Sequence, residues 1–318
     1  MTELGDPTAP PGERTVLLVA HTGRPDIVSV AAHIRGRLET AGIRLVALDP
    51  EAAELGMPEM GVPDSGPDMP ADGPETPADR RPEVVELVLT LGGDGTLLRG
   101  AEEARAQQAP VLGINLGRVG FLTETDADHL EAALDAVVSR NYRISERMTV
   151  DVSVVHEGRQ VATGWALNEV SVEKATRERI LDVVVEVDGR GVSAFGCDGV
   201  LCATPTGSTA YAFSAGGPII WPGVAALLVM PSNAHALFAR PLVVGADSIV
   251  SLHLDPQGHE AVLACDGRRS VEIPPGARVH MRAGAIPVRL VRLTDEPFTD
   301  RLVRKFSLPV HGWRDRRH

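Results

Sequence analysis

Aromatic side chains are scarce in this chain: six Phe, three Trp and two Tyr make up 3% of 318 residues. With so few aromatic rings and no basic amphipathic stretch, there is little material for a membrane-surface anchor. Long apolar runs are missing too, and nothing approaches the ~18 consecutive apolar residues that suggest a membrane span. Positive charge is in deficit, with a formal net charge of −12. A nucleic-acid binder needs a concentrated basic face to displace counterions, so that class is excluded. The basic end "RDRRH" reads as a solvated tail. Three cysteines, Cys197, Cys202 and Cys265, lack zinc-type CxxC spacing, and their odd number cannot pair completely within one chain. Reduced, mostly buried thiols in a cytoplasmic protein are the expectation. Met1 to Arg14 holds acids and prolines but no apolar block, which does not read as a secretory signal. There is no GxxxxGK[ST], which argues against a P-loop enzyme.

Hydrophobic residues at 43% and charged residues at 23% are ordinary for a soluble globular protein, and the length suffices for two cores. "TVLLVAH" reads as a strand, "PDIVSVAAHIRGRLETAG" as an amphipathic helix ending at Gly42, and "IRLVALD" as a second strand. From about Glu51 to Pro82 the chain is rich in Pro, Gly, Asp and Glu, with almost no β-branched or aromatic residues. Such a segment cannot bury enough surface to offset its ordering entropy, and it is expected to be a disordered insert, like the leader over 1–14. "VVELVLTL" then reads as a buried parallel strand, followed by helix "TLLRGAEEARAQQ", strand "PVLGIN" and helix "DADHLEAALDAVVSR". Strands alternating with helices imply right-handed βαβ units, hence a Rossmann-like α/β domain with a parallel sheet over 15–142.

From 143 to 295 the pattern changes to short alternating segments: "MTVDVSVVH", "ATGWALNEVSV", "ILDVVVEVDG", "VLCAT", "LVVGADSIVSLHL", "AVLACDG" and "RVHMRAG". These predict an all-β domain of sandwich type, with "VDGRGV" as a hairpin and "PVRLVRL" closing the domain. The last stretch, 296–318, is expected to return to the first domain.

Four places carry candidate chemistry. In "VLTLGGDGTL" a strand runs into three glycines around Asp94, where a helix begins. Free N–H groups and the helix dipole favour phosphate at such a point, and glycines let the backbone approach it. A carboxylate beside phosphate makes sense as a base or orienter for a hydroxyl about to be phosphorylated. An Asx turn with a helix cap accounts for the same five residues, and both readings stand. "ATPTGSTAYAFSAGGP" concentrates small and hydroxylated residues around Tyr211, which suits a flat polar ligand lying on the backbone with the ring stacked on it, or a plain Gly/Ser turn. "WALNEVSV" sets Asn168 and Glu169 side by side in an apolar strand, where one of them would point unpaired into the core unless the strand end opens onto a ligand. "FGCDGV" places Asp198 in a glycine-flanked turn. Gly189-Arg190-Gly191-Val192-Ser193-Ala194 matches GxGxx[GA], but in a hairpin with no helix after it, so it reads as a turn.

"GGDGT", "GINLGRVGFLTE", "ALNEV", "DGVLCATPTGSTAYAFSAGGP" and "RPLVV" occur in the order and at the spacings of the NAD kinase family, which the chain resembles from about Thr15 to Val310, the insert excepted. "GGDGT" is shared with lipid kinases and phosphofructokinases; "NE" followed some forty residues later by "TPTGSTAY" is far more specific. The resemblance implies transfer of a phosphoryl group from ATP or polyphosphate to the 2′-hydroxyl of NAD's adenosine ribose, giving NADP. It implies an α/β domain with a β-sandwich domain, a site in the cleft between them and at subunit contacts, a homodimer or homotetramer, and a divalent cation such as Mg²⁺ brought by the nucleotide. By the same resemblance Asp94 takes the general-base role, with Gly92, Gly93, Gly95, Thr96 and Arg99 around the phosphates. Asn168 and Glu169 hold adenosine and its ribose, Asp198 faces the nicotinamide side, and Arg179 lines the site. Thr206, Ser208, Thr209, Ala210, Tyr211, Ala212, Phe213 and Ser214 belong to the dinucleotide pocket, with His235 and Arg268 added to the binding set. The chain departs from the family where Ala236 and Phe238 replace hydroxyl residues, and where Gly196 stands two residues before Asp198 in place of a basic side chain. A lipid kinase sharing the glycine–aspartate loop and a non-catalytic NAD-binding sensor are the competing readings.

Overall fold

The computed structural model describes residues 14–23, 26–60, 84–117, 120–236 and 239–310. They fall into two compact units, one running to Glu146 and resuming at Val288, the other spanning Arg147–Pro287. The leader before Arg14, most of the expected insert and the basic tail lie outside the described residues.

In the first unit β1 (Arg14–Ala20) leads through α1 (Ile27–Thr40) to β2 (Ile43–Ala47), and the two strands pair in parallel. The helix forms because Ile27, Ala31, Ile34 and Leu38 recur at spacings of three and four, so one face is apolar and buried. Gly42, at φ 73°, takes the left-handed conformation that ends it. A short helix, α2 (Glu51–Leu55), follows. Its sequence was expected to lack structure, and composition misled there for a specific reason. Ala52 and Leu55 are buried, and the Glu51 carboxylate accepts the Ala20 N–H at 3.0 Å and pairs with Arg99. A carboxylate that finds two partners far along the chain can order a segment with little apolar content.

The chain continues through β3 (Leu87–Leu91), whose side chains are all buried, α3 (Asp94–Gln107), β4 (Pro110–Asn115), the two-residue β5 (Thr125–Asp126), α4 (Leu130–Ser139) and β6 (Arg143–Arg147). The second unit holds β7 (Val150–His156), β8 (Arg159–Ala166), β9 (Glu169–Lys174), β10 (Leu181–Val187), β11 (Arg190–Cys197), β12 (Gly199–Ala203) and the one-turn α5 (Tyr211–Ser214). It is completed by β13 (Ala226–Ser232), β14 (Leu242–Gly245), β15 (Val250–Leu254), β16 (Ala261–Cys265), β17 (Arg269–Ile273) and β18 (Arg278–Ala283). The chain then returns to the first unit with β19 (Val288–Arg292) and α6 (Phe298–Phe306).

The first sheet has the order β2-β1-β3-β4-β19-β6, with β5 on β4; β1, β2, β3, β4 and β19 run parallel. "PVRLVRL" therefore closes the α/β sheet beside β4 and not the β domain, and β6 belongs to the first sheet as well. An alternating apolar strand fits either sheet, so its assignment depends on a partner that sequence does not name.

The second unit is two antiparallel six-stranded sheets, ordered β11-β10-β15-β18-β7-β8 and β14-β13-β12-β9-β16-β17. Val152, Val183 and Val279 of one and Val172, Cys202 and Val229 of the other share one buried cluster, which makes it a sandwich. Asp188 and Gly189, both at positive φ, form the two-residue turn of the β10–β11 hairpin, as "VDGRGV" predicted. The three cysteines are buried and none forms a disulfide, and burial pushes the Cys197 and Cys202 thiols up to about 12. These thiols are core residues with no nucleophilic character at neutral pH.

Candidate active site

In the first unit, β3 ends at Leu91 and Gly92-Gly93 turns the chain into α3 at Asp94. Gly92, at φ 152°, cannot be another residue: a Cβ there would strike the Thr96 side chain, 2.8 Å from its Cβ. Gly93 and Gly95 differ, because a Cβ on either would meet nothing within 4 Å. The chain's own packing does not require those two glycines, and both are exposed. No side chain caps α3, so its first N–H groups are free of side-chain competition.

The Asp94 carboxylate is held by the loop after β4. Its Oδ2 accepts the Phe121 N–H at 3.0 Å and its Oδ1 the Leu122 N–H at 3.1 Å. A Cβ on Gly120 would fall on this carboxylate, so the loop can approach only with glycine there. Arg99, expected at the phosphates, donates instead to the Ala20 carbonyl at 2.8 Å and pairs with Glu51. Its guanidinium secures α2 to α3.

In the second unit, "ATGWALNEVSV" is not one strand. It breaks between β8 and β9, which belong to different sheets. At the break, buried Asp266 accepts the Leu167 N–H at 3.0 Å and the Asn168 N–H at 2.6 Å and pairs with Arg269 at 2.9 Å. The Asn168 carbonyl accepts the Thr204 N–H at 2.8 Å. The Thr204 hydroxyl donates to Leu167 O at 2.6 Å and accepts the Gly207 N–H at 3.1 Å. Asn168 and Glu169 are thereby fixed against the start of the hydroxyl-rich stretch.

Both side chains are buried, and Glu169 Oε2 is shielded with no hydrogen-bond partner among the described residues. Burial, then the neighbouring Asp266 carboxylate, pushes the Glu169 carboxyl up to about 8, against a bond from the Tyr211 backbone that lowers it. The folded state therefore holds a proton that the unfolded state releases near the ordinary carboxylate pKa. Stability from this group is full below that value and is lost as pH rises toward 8. Glu169→Gln should remove the loss, so its melting advantage over the parent should grow from pH 5 to 8 and level off above, by an amount on the order of a few kcal/mol. Parallel melting curves across that range would rule out a buried protonated carboxyl.

The hydroxyl-rich stretch divides by exposure. Ser208 is fully buried: its hydroxyl lies 2.6 Å from Pro205 O and accepts the Ile220 N–H at 2.8 Å. Ala212 packs into a core cluster with Leu201, Leu228 and Met230. These two shape the turn from within. Thr206, Thr209 and Ala210 are half-buried, with Thr209 Oγ1 donating to Thr206 O at 3.2 Å. Tyr211, Phe213 and Ser214 are exposed on α5.

Asp198 forms an ion pair with Lys174 at 2.5 Å and accepts from Asn233 Nδ2 at 2.8 Å; the Lys174 bond, then Asn233, holds its carboxyl below the usual range. Exposed His235 bridges to Gly196 through its backbone N–H at 2.8 Å. A Cβ on Gly196 would lie 2.7 Å from the Ile180 side chain. Arg179 and Arg268 are exposed. Asp266, Lys174, Asn233 and the 121–122 amides were missed from sequence. Only Asp266 gave a signal, an acid in a turn ("CDG") after an apolar strand.

The family models described as ATP-NAD kinase N-terminal domain and ATP-NAD kinase C-terminal domain match residues 16–142 and 167–293. The chain is 53% identical to NAD kinase 2 of Streptomyces avermitilis over 308 residues, 96% of this chain and 98% of the relative. It is 54% identical to the NAD kinase of Nocardia farcinica over 96% of this chain and 95% of that one. Among solved structures, yeast NADH kinase complexed with NADH shares the fold at a TM-score of 0.78 and 23% identity, covering 94% of this chain and 89% of that one. An NAD kinase from Archaeoglobus fulgidus in complex with ATP does so at 0.67 and 24%, covering 93% and 100%.

These matches place the chain, with its parallel sheet ending in a glycine–aspartate turn and its β-sandwich carrying a buried Asn-Glu pair, among the phosphotransferases. The chain belongs to the NAD kinase family, whose reaction converts NAD to NADP.

Proposed function

We propose that the chain transfers the terminal phosphoryl group of ATP to the 2′-hydroxyl of NAD's adenosine ribose, with Asp94 accepting the hydroxyl proton. The observation that carries this is the open backbone at Gly93 and Gly95, beside an uncapped helix start and an anchored carboxylate. Phosphoryl transfer proceeds through a loose transition state with charge on its equatorial oxygens, so positioning and electrostatics dominate. Free N–H groups at the start of α3 meet that charge without a steric barrier.

Glu169 holds the adenosine ribose: its orphaned Oε2 gains a partner when a ribose hydroxyl arrives, which removes the cost of leaving it unmatched. Asn168, seated beside it by Asp266, orients the adenosine. Asp198 faces the nicotinamide end, with Arg179, His235 and Arg268 as outer contacts. Magnesium enters with the triphosphate as part of the substrate. Among the described residues no group of three or more His, Cys, Asp or Glu side chains is placed to hold a resident ion. Among the described residues no helix is long and apolar enough to cross a membrane. A cytoplasmic homo-oligomer is the setting that fits this reading.

Purified protein given NAD and Mg²⁺ with either ATP or polyphosphate should form NADP with ATP. NADP from polyphosphate alone would overturn the donor assignment, and no NADP from either would overturn the activity.

The Tyr211 ring is 39% exposed on α5 and available to stack on a base or nicotinamide ring. Stacking contributes on the order of 0.5–1.5 kcal/mol beyond burial. Tyr211→Ala should therefore raise KM for NAD roughly three- to tenfold and leave kcat nearly unchanged. An unaltered NAD affinity by calorimetry would show that the ring does not touch the ligand.

A further inference from the structure

We propose that Arg301, on the C-terminal helix, is a positioning residue for Asp94, acting through the loop whose amides hold the carboxylate; this rests on the reading of Asp94 as the proton acceptor. Residues 120–124 lie between α3 and α6. On one side Phe121 and Leu122 donate their N–H groups to Asp94. On the other, Arg301 Nη1 donates to Thr123 O at 3.1 Å and approaches Phe121 O at 3.5 Å. The peptide unit that Asp94 grips from the α3 side is thus part of the loop that Arg301 grips from the α6 side.

Arg301 is an unusual residue to find there. It is the buried residue of α6, with only 4% of its side chain exposed. A guanidinium taken out of water needs full pairing to be tolerated, and an apolar residue would fill the position more cheaply. Its pairing is supplied by Glu124, a loop residue 1% exposed, at 2.5 Å from Arg301 Nη2 and 3.0 Å from Arg292 Nη1. Glu124 Oε1 also accepts the Leu293 N–H at 2.9 Å. Arg301 Nε lies 3.4 Å from Glu296 Oε2, without hydrogen-bond geometry. The fork therefore engages one side chain and two carbonyls of a single loop. The Phe121 ring adds apolar anchorage against Phe298 and Phe306, at centroid distances of 6.3 and 5.5 Å. The two phenylalanines give α6 an anchorage on this loop that does not depend on Arg301. What Arg301 adds is the fixed height of the 121–123 backbone, and through it the position of Asp94.

A misplacement of about 1 Å at a reacting group costs on the order of 10²-fold in rate. Arg301→Met should lower kcat for NADP formation about 10- to 100-fold per folded molecule, with KM for NAD changed less than about twofold. Arg301→Lys keeps the charge beside Glu124 but cannot span both Glu124 and the two carbonyls, and should lose severalfold. It also serves where Arg301→Met does not fold. Hydrogen exchange at the Phe121 and Leu122 amides should accelerate in either variant while exchange in β1 and β3 stays at the parent rate. In an Asp94→Asn background the Arg301 substitution should cost little more, because the group it positions has lost its function.

Unchanged kcat in the folded variants, unchanged exchange at those two amides, or a full multiplicative loss in the double variant would each overturn the proposal. Near-normal turnover by Asp94→Asn alone would instead refute the proton-acceptor reading, leaving the Arg301–loop link to be judged by exchange.

Discussion

Asp94→Asn should fold, bind NAD within about tenfold of the parent, and lose at least ~100-fold in turnover. Loss of a general base costs typically 10²–10⁴-fold, roughly 3–5 kcal/mol of barrier. The loose transition state pulls the expectation to the lower end, because the hydroxyl need not be fully deprotonated before the phosphoryl group moves. The structure adds a complication that an Asx-turn argument misses. Both Asp94 oxygens accept amide protons, and Asn offers one oxygen and one N–H₂. One of the Phe121 and Leu122 amides therefore loses its acceptor, and the variant should also melt lower, by an amount on the order of 1–3 kcal/mol. Turnover must accordingly be taken per folded molecule at saturating NAD, with affinity from calorimetry. Retained binding with lost rate supports the base. Retained rate with lower melting would make Asp94 a loop anchor only, and lost binding with intact saturated rate would make it a ribose clamp.

Gly207→Ala should be the most damaging small substitution in the second unit. A Cβ at Gly207 falls on the Asn168 carbonyl oxygen, with the Asn168 Cα only 2.7 Å away. Backbone cannot rotate aside as a side-chain tip can, and Asn168 is further fixed by Asp266 and Thr204. Overpacking of this kind costs about 1–3 kcal/mol, and here the displaced residues are the ones assigned to adenosine and ribose. NAD affinity should fall more than tenfold along with the melting temperature. Gly223→Ala, where a Cβ meets nothing within 4 Å, is the matched control and should change neither. Equal behaviour of the two variants would mean that the 204–207 turn and the Asn168 segment move freely against each other.

Much of this was legible in the sequence because it was local. Buried strands such as the "LVLTL" part of "VVELVLTL", the α1 periodicity and the positive-φ Asp188-Gly189 turn follow from patterns within a few residues. What was illegible depends on partners far away. The kink that splits "ATGWALNEVSV" is imposed by Asp266, about a hundred residues on, and the assignment of β19 to the first sheet is imposed by β4. Helix α2 forms in a compositionally poor segment because Glu51 meets Arg99 and Ala20. Strand β13 carries Pro231, which weakens its pattern as a strand, yet it lies between β12 and β14.

The candidate site divides along the same line. Glycines, Asp94, Asn168 and Glu169 could be singled out by type and context. Ser208, Ala212 and Arg99 could not be told from ligand contacts, since a hydroxyl, a methyl or a guanidinium reads the same whether it faces inward or out. The groups that hold the site in place, Asp266 for Asn168 and the 121–122 amides for Asp94, act through tertiary contacts; the "CDG" turn marks Asp266 but not its partner, and the amides left no local pattern to read.

Every role assigned above depends on phosphorylation at the 2′-hydroxyl of NAD's adenosine ribose. The most direct measurement is to incubate the purified protein with NAD, Mg²⁺ and ATP labelled at the γ-phosphate, and to locate the label in the product by ³¹P and ¹H NMR. One labelled monoester is expected, on the 2′-oxygen of the adenosine ribose and in one-to-one stoichiometry with ADP. Label at the 3′-oxygen or on the nicotinamide ribose, or ADP released with no labelled dinucleotide, would contradict it.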